Sequence, residues 1–172
     1  QLNEIKNNEN IKVVILGAAG KAFCPGHDLK EIRNNRDRKF VDALFAKCTE
    51  MMLTIRNLQQ PVIAKIQGVA TAAGCQLVAT CDLAIAADHA RFATSGINYG
   101  IYCSTPAVPL SRTIHPKKAL EMLLTGDFLS AKAAKEEGLI NQSVPAKELD
   151  AAVWKMASTI ANKAPDALRI GK

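Results

Sequence analysis

Two patterns of apolar residues alternate along this chain: short continuous runs, and positions spaced three or four residues apart. The β-branched and aliphatic runs at 11–18, 62–67 and 83–87 predict three strands, each apolar enough to be buried on both faces. Helical spacing predicts a long helix over 39–57 and a short one over 72–80. Because strands alternate with helices, the pattern predicts an α/β fold with a mainly parallel sheet.

The later part of the chain is predicted to be mostly helical. The stretch 89–113 is rich in Gly, Pro, Ser and aromatic residues, which is typical of a loop that carries a binding surface. Ser130 and Gly138 are typical of a helix cap and a helix terminator. Helices are predicted at three places: 116–124, 131–137 and 148–163. The chain shows no repeat or linker, so we expect one domain over 1–172.

Composition and charge narrow the class of protein. With 48% hydrophobic and 22% charged residues, the 172-residue chain has the composition of a packed globular protein, and no apolar run is long enough to span a membrane. The five cysteines are odd in number and lack CxxC spacing, which predicts reduced thiols and no metal site, as in the cytoplasm or the mitochondrial matrix. A net charge of +6 is compatible with nucleic acid, an anionic surface or a polyanionic small molecule.

Two glycine-bearing turns, at 23–29 (FCPGHDL) and 68–77 (GVATAAGCQL), carry the strongest functional signal. Each follows an apolar run, and each can present bare backbone N–H groups to a ligand. The second turn opens into a helical pattern, so its N–H groups lie at the positive end of a helix dipole. The pair predicts an oxyanion hole. The alternative is that glycine merely permits two tight connections.

The ordered segments AFCPGHDLKE, QGVATAAGCQLVATCDLAIAA and RFATSGINYGIYCSTPAV resemble the crotonase (enoyl-CoA hydratase/isomerase) family. The resemblance covers nearly the whole chain. It implies a spiral of β-β-α units with a helical C-terminal part, assembly as homotrimers or hexamers, and binding of acyl-CoA thioesters. Coenzyme A would then enter as part of the substrate, with no permanently bound cofactor. Relative to the family pattern, we expect this sequence to lack an initial strand and helix before Gln1 and closing helices after Lys172.

The resemblance also implies roles for individual residues. The backbone N–H groups of His27 and Ala73 match the family's oxyanion donors. Gln76 and Gly96 stand where family hydratases have two catalytic glutamates. Glutamine does not ionise near pH 7 and glycine has no side chain, which argues against hydration by the two-glutamate route. The chain most resembles the branch of enoyl-CoA hydratase domain-containing proteins, which lacks both glutamates.

A further set of residues matches family positions along the coenzyme A path. Lys21 and Lys30 could meet its phosphates. Asp28 is also expected to cap the helix that follows it. The matching residues that line the path are Ala22, Cys24, Pro25, Asp28 and Leu29.

Other side chains could replace the missing glutamates. His27 is the first candidate, although it is expected to contribute only its amide. Gln76 either hydrogen-bonds substrate or water, or marks a lost site. The remaining candidates are Tyr99, Tyr102, Cys103 and Ser104.

Three functions remain open from the sequence. The first is a lyase or isomerase that uses thioester-enolate chemistry, and the second is a catalytically silent acyl-CoA binder or assembly partner. The third, RNA binding through the basic run at 30–39, is disfavoured, because acids and asparagines interrupt the run and no aromatic residues interleave with it. DNA and membranes are not expected partners.

Overall fold

The fold winds through three successive β-β-α units and ends in helices. The computed structural model describes residues 1–6 and 8–172, which contain eight strands and nine α-helices. The strands are β1 Val14–Leu16, β2 Ala22–Cys24, β3 Val62–Ile66, β4 Val69–Thr71, β5 Leu83–Ala87, β6 Arg91–Ala93, β7 Leu129–Ser130 and β8 Gln142–Val144. The helices are α1 Leu2–Lys6, α2 Leu29–Asn34, α3 Arg38–Asn57, α4 Ala73–Thr80, α5 Ser104–Thr113, α6 Pro116–Thr125, α7 Ala131–Glu136, α8 Leu149–Ala161 and α9 Pro165–Gly171.

Each unit gives one strand to each of two sheets. The first sheet has the order β1-β3-β5-β8 and is parallel throughout. The second has the order β2-β4-β6-β7, with only the β6–β7 pair antiparallel. Because the first strand of each unit joins one sheet and the second strand joins the other, the chain forms a spiral of β-β-α units. The predicted α/β class with mainly parallel strands is confirmed.

The main core lies between the sheets and helices α4 to α7. Ile66 of β3 and Phe92 of β6 are fully buried there, beside Val78 of α4 and Leu110 of α5. Strands β3 and β5 are almost wholly buried, as their apolar runs predicted. Lys65 is the half-buried exception in β3. Its Nζ atom forms an ion pair with the carboxylate of Asp150, at the start of α8, over a distance of 2.7 Å.

The five predicted helices are confirmed, and each end lies within two residues of its predicted position. The Ser130 hydroxyl caps α7 by accepting from the Ala133 N–H at 3.2 Å, and Gly138 follows that helix with φ +84°. Pro165 is the first residue of α9, where a missing N–H costs nothing.

The prediction of a loop-rich stretch over 89–113 is wrong near both of its ends, because Arg91–Ala93 near its start forms β6. The segment Ser104–Thr113 forms α5 although it contains two prolines. Pro106 lies in the first turn, where no intrahelical N–H bond is required, and it is buried against the core. Strands β2 and β4 were also missed, because each is only three residues long and lies inside a glycine-bearing turn.

No helix in the described part of the chain combines the length and the apolar character needed to cross a lipid bilayer.

Candidate functional site

The two glycine-bearing turns lie against each other. Strand β2 of the first turn pairs in parallel with β4 of the second, with an irregularity between Ala22 and Cys24. A Cβ atom on Gly74 would lie 1.9 Å from the carbonyl oxygen of Cys24, and one on Gly68 would lie 2.0 Å from that of Lys21. Any side chain at these two positions would therefore force the turns apart.

The first turn passes close to the N-terminus of α4. Gly26 has φ +95°, and a Cβ atom there would lie 3.1 Å from the Cβ of Ala72 and 3.4 Å from the amide nitrogen of Ala73. His27 follows Gly26 directly, so its backbone is held beside the first residue of α4. This contact brings the two predicted donor positions together.

A cavity of about 330 Å³ opens where the turns meet. His27, Ala73 and Gly96 all line it. Ala73 is the first residue of α4, so its N–H has no partner within the helix. Within the described part of the chain, neither the His27 nor the Ala73 N–H donates a hydrogen bond. The site therefore offers two free backbone donors to a ligand.

Ala72 has a strained backbone that aims the next peptide group. Its φ is +51° and its ψ −119°, and it is the sole non-glycine residue with positive φ among those described. Its own N–H donates to the carbonyl oxygen of Ala93 in β6 at 3.0 Å, which holds the residue in place. Strain held by surrounding structure is typical of functional sites.

Replacing Ala72 with glycine is expected to raise the free energy of unfolding by about 1 kcal/mol, because glycine adopts positive φ without steric cost. The exposed helical residue Ala151 provides the matched control, and Ala151→Gly is expected to lower stability by about 1 kcal/mol. Urea unfolding measures both. A loss of stability in Ala72→Gly like that in Ala151→Gly would show that the residue is not strained.

His27 and Asp28 have different surroundings. The half-buried His27 ring lies 5.0 Å from the ring of Phe45 in α3, centre to centre, at an interplanar angle of 42°. The Asp28 carboxylate accepts from the Lys30 N–H at 2.8 Å and the Glu31 N–H at 3.3 Å, which confirms the predicted cap of α2.

Gln76 and Gly96 do not face the same cavity. Gly96 lies in the 3₁₀ helix Ser95–Tyr99, and a Cβ atom there would lie 2.7 Å from the carbonyl oxygen of Ile101. A glutamate at position 96 therefore has no room. Gln76 lies one turn into α4 and lines a neighbouring groove instead. No Asp or Glu lines the cavity in the described part of the chain.

The other candidate acid and base residues do gather at the cavity, which is lined by Tyr99, Tyr102, Cys103 and Ser104. The sequence did not indicate the hydroxyl pair Thr71 and Ser95, whose oxygens lie 2.7 Å apart. It also missed the apolar wall of the cavity, to which Phe45 of α3 contributes. Thr71 lies in the second glycine-bearing turn and Ser95 lies outside both turns, so no local sequence signal joined the two hydroxyl groups.

The residues matched to the coenzyme A path lie on and after β2. Pro25 and Leu29 line the cavity. Ala22 and Cys24 belong to β2, which pairs with β4. Lys21 and Lys30 are exposed, and neither forms an ion pair with a described residue.

The basic run at 30–39 does not form one continuous helix. Arg33 lies in the last turn of α2, Arg36 lies between helices, and Arg38 begins α3. Arg38 is exposed and lies 3.5 Å from the Asp42 carboxylate. The run is solvated, as expected, but it is divided between two helices.

All five cysteines are free thiols. Burial raises the pKa of Cys75 from 9.0 to about 12. Burial, and then the Asp82 carboxylate, raise the pKa of Cys81 to about 12. Cys75 is thus a core side chain. Within residues 1–6 and 8–172, no three His, Cys, Asp or Glu side chains cluster as a metal site requires.

The Cys75 thiol makes stability depend on pH in the alkaline range. Between pH 9.0 and about 12 the unfolded chain has released this proton while the folded protein retains it. The free energy of unfolding therefore falls as pH rises, by about 1.4 kcal/mol per pH unit. Urea unfolding across this window measures that dependence. In Cys75→Ala the free energy of unfolding should fall with pH less steeply than in wild type, by about 1.4 kcal/mol per pH unit. An unchanged slope would contradict the assignment.

The β-β-α spiral and the cavity between its glycine turns define a crotonase-type protein. The family model for enoyl-CoA hydratase/isomerase matches residues 1–172, and the chain belongs to this family.

Relatives narrow the resemblance further. The chain is 46% identical over 165 residues to the mouse enoyl-CoA hydratase domain-containing protein 3, mitochondrial, with 96% of this chain and 55% of the relative covered. The crystal structure of the human enoyl-CoA hydratase domain-containing protein 3 is 42% identical, with a TM-score of 0.92 over 99% of this chain and 70% of the other. The crystal structure of an enoyl-CoA hydratase from Mycobacterium smegmatis is 52% identical in sequence, with a TM-score of 0.96. The match covers 99% of this chain and 66% of the other. The predicted likeness to the domain-containing branch is confirmed. The chain spans about half the length of the curated relatives it matches.

Proposed function

We propose that the protein binds acyl-CoA thioesters in the cavity between the two turns. In this proposal the backbone N–H groups of His27 and Ala73 donate to the thioester carbonyl oxygen. The observation that carries the proposal is that these two donors line one cavity and have no described acceptor. Gly74 supports it, because its lack of a side chain lets the two turns that carry these donors approach each other closely.

The helix dipole adds to the effect of the two hydrogen bonds. Ala73 begins α4, an eight-residue helix whose N-terminal end carries partial positive charge. Negative charge develops on the carbonyl oxygen when a thioester becomes an enolate. Donors that are fixed before the reaction stabilise this charge more than they stabilise the neutral ester.

The proposed path of coenzyme A runs over the first turn. Pro25 and Leu29 would contact the part of the ligand nearest the thioester, and the unpaired ammonium groups of Lys21 and Lys30 would meet its phosphates. The net charge of +6 favours such a polyanionic ligand. Coenzyme A is proposed here as part of the substrate and not as a resident cofactor.

If the protein is an enzyme, its chemistry differs from two-glutamate hydration. Gly96 has no room for a carboxylate, and Gln76 faces another groove. Proton transfer would fall to a residue of the cavity, of which His27 is the first candidate because imidazole is an effective acid and base near neutral pH. The proposed reaction class is a lyase or isomerase reaction through a thioester enolate.

A catalytically silent acyl-CoA binder is the second candidate. The lack of any described carboxylate at the cavity favours it, because a carboxylate is the usual base of this family's hydratases. In that case the backbone donors serve binding alone, and the protein acts as a carrier or assembly partner.

Deuterium exchange distinguishes the two candidates. The protein is incubated with butyryl-CoA in D₂O, binding is measured by calorimetry, and label at the carbon next to the thioester is measured by mass spectrometry. An enolate-forming enzyme incorporates deuterium, and His27→Ala slows the incorporation by roughly 10²-fold or more. A silent binder shows affinity without incorporation. Absence of any binding would refute both.

Hydration of crotonyl-CoA provides a separate check on the missing glutamates. We expect no hydration at ordinary hydratase rates, and no gain in Gln76→Glu alone, because position 96 still lacks its carboxylate. The loss of enoyl absorbance measures the formation of 3-hydroxybutyryl-CoA. Turnover by the wild-type protein at ordinary hydratase rates would contradict this interpretation of Gln76 and Gly96.

We also propose that the protein assembles as a homotrimer or hexamer. We further propose that it resides in the mitochondrial matrix or the cytoplasm. Exposed Leu120 and Leu124 on α6 support assembly, because they leave apolar surface uncovered in one copy. The mitochondrial designation of the curated relatives supports the first of the two compartments. Native mass spectrometry of the protein measures its oligomeric state.

A further inference from the structure

A second cavity, with a volume of about 390 Å³, lies between α3, α4 and α5. It adjoins the cavity between the turns, since Thr105 of α5 lines both. Part of its wall is apolar and comes from Met52 and Leu53 of α3 and from Val108 of α5. An aliphatic chain would fit against this part of the wall.

The same groove carries unpaired positive charge. Arg56 of α3 and Arg112 of α5 both line it. Neither arginine forms an ion pair with a described residue, and no Asp or Glu lines the groove in the described part of the chain. Two guanidinium groups without a carboxylate favour an anionic ligand, for which guanidinium geometry is well suited.

Gln76 provides an independent indication of a polar ligand. Its side chain lines the groove and is only 7% exposed. Its Oε1 atom is buried and has no hydrogen-bond partner among the described residues. Buried amides are nearly always hydrogen-bonded, and an amide can present either a donor or an acceptor to a ligand. An aliphatic chain would leave Oε1 unsatisfied, and so would a carboxylate, because Oε1 and a carboxylate oxygen both only accept. A 180° rotation of the terminal amide exchanges Oε1 for Nε2, whose N–H groups donate to a carboxylate oxygen.

The groove is within reach of a thioester held in the first cavity. Gln76 follows Ala73 by three residues on α4, which places it about 4.5 Å further along the helix axis. An acyl chain that starts at the Ala73 N–H therefore comes level with Gln76 after a few carbon atoms.

We propose that this groove holds the acyl chain and selects chains that end in a carboxylate. The substrate class is then the monothioester of coenzyme A with a dicarboxylic acid. The inference rests on the proposed function, because the thioester must be held at His27 and Ala73. The apolar wall contacts the methylene groups, and the far carboxylate accepts hydrogen bonds from the guanidinium groups of Arg56 and Arg112 and from Nε2 of Gln76.

Calorimetry with chain-matched thioesters tests the proposal. Succinyl-CoA is compared with butyryl-CoA, and adipoyl-CoA with hexanoyl-CoA, at low ionic strength. We expect the wild-type protein to bind at least one carboxylate-ended ester about tenfold more tightly than its neutral match. The Arg56→Gln/Arg112→Gln variant should lose this preference and keep its affinity for the neutral esters.

A matched charge control separates local recognition from net charge. The variant Arg38→Gln/Arg169→Gln removes the same charge from two exposed arginines outside the groove and should keep the preference. Equal or weaker binding of both carboxylate-ended esters by wild type, or an unchanged preference in the groove variant, would overturn this inference alone. Failure to bind any of the four thioesters would overturn the proposed function as well.

Discussion

Replacing Gly74 with alanine is expected to lower the free energy of unfolding by about 3 kcal/mol or more and to abolish thioester binding. The new Cβ atom would lie 1.9 Å from the carbonyl oxygen of Cys24, and this oxygen belongs to the backbone of a paired strand. Relief of the overlap requires α4 to move away from β2, and overpacking of a dense core costs about 1–3 kcal/mol even where side chains can adjust. The movement would also separate the donors at His27 and Ala73.

Gly171 provides the matched control for this substitution. It lies at the end of α9, and no atom lies within 4 Å of a Cβ placed there. Gly171→Ala should therefore change stability by less than about 1 kcal/mol. Urea unfolding and calorimetry with butyryl-CoA measure both variants. Wild-type stability in Gly74→Ala would mean that the close approach of the two turns is not required.

Replacing Ala73 with proline is expected to weaken the thioester site while the fold persists. Proline removes the N–H that the proposed function assigns to the carbonyl oxygen. Ala73 is the first residue of α4, so proline there breaks no intrahelical hydrogen bond, although it further restricts the strained backbone of Ala72. Loss of one oxyanion donor typically costs roughly 10²–10³-fold in rate. Deuterium exchange into butyryl-CoA should fall by that factor, and affinity for free coenzyme A should not change.

Ala73→Ser is the control for added bulk at the same position. It keeps the backbone N–H, so exchange and thioester affinity should stay within about tenfold of wild type. Thermal unfolding of both variants verifies that the helix persists. If Ala73→Pro folds and retains the wild-type exchange rate and affinity, the Ala73 N–H is not a donor to the substrate.

Local sequence was sufficient for the elements that form from contiguous residues. Leu83–Ala87 is a strand with the predicted bounds, because its apolar run is long enough to be buried on both faces. The cap at Asp28 was likewise evident, since capping depends on residues two and three positions away. The pairing of β2 with β4 was not evident, because it depends on residues more than forty positions apart.

The sequence located the two turns that form the candidate cavity better than it located the side chains around that cavity. Glycine at 26 and 74 indicated the close approach of two turns, and the structure shows which atoms leave no room for a side chain. The family pattern placed Gln76 and Gly96 in one catalytic pair. Which face of α4 points into which cavity depends on the packing of α3 and α5, and helix α5 itself was expected to be loop.

The infrared spectrum of a bound acyl-CoA labelled with ¹³C at the thioester carbonyl tests the central claim most directly. Hydrogen bonds to the carbonyl oxygen weaken its double bond, so the account predicts a labelled band at lower frequency in the complex than in water. It also predicts that Ala73→Pro reverses much of this shift, whereas Ala73→Ser keeps it. A band at its solution frequency in the wild-type complex, with binding verified by calorimetry, would show that the two glycine-bearing turns do not hold the thioester oxygen.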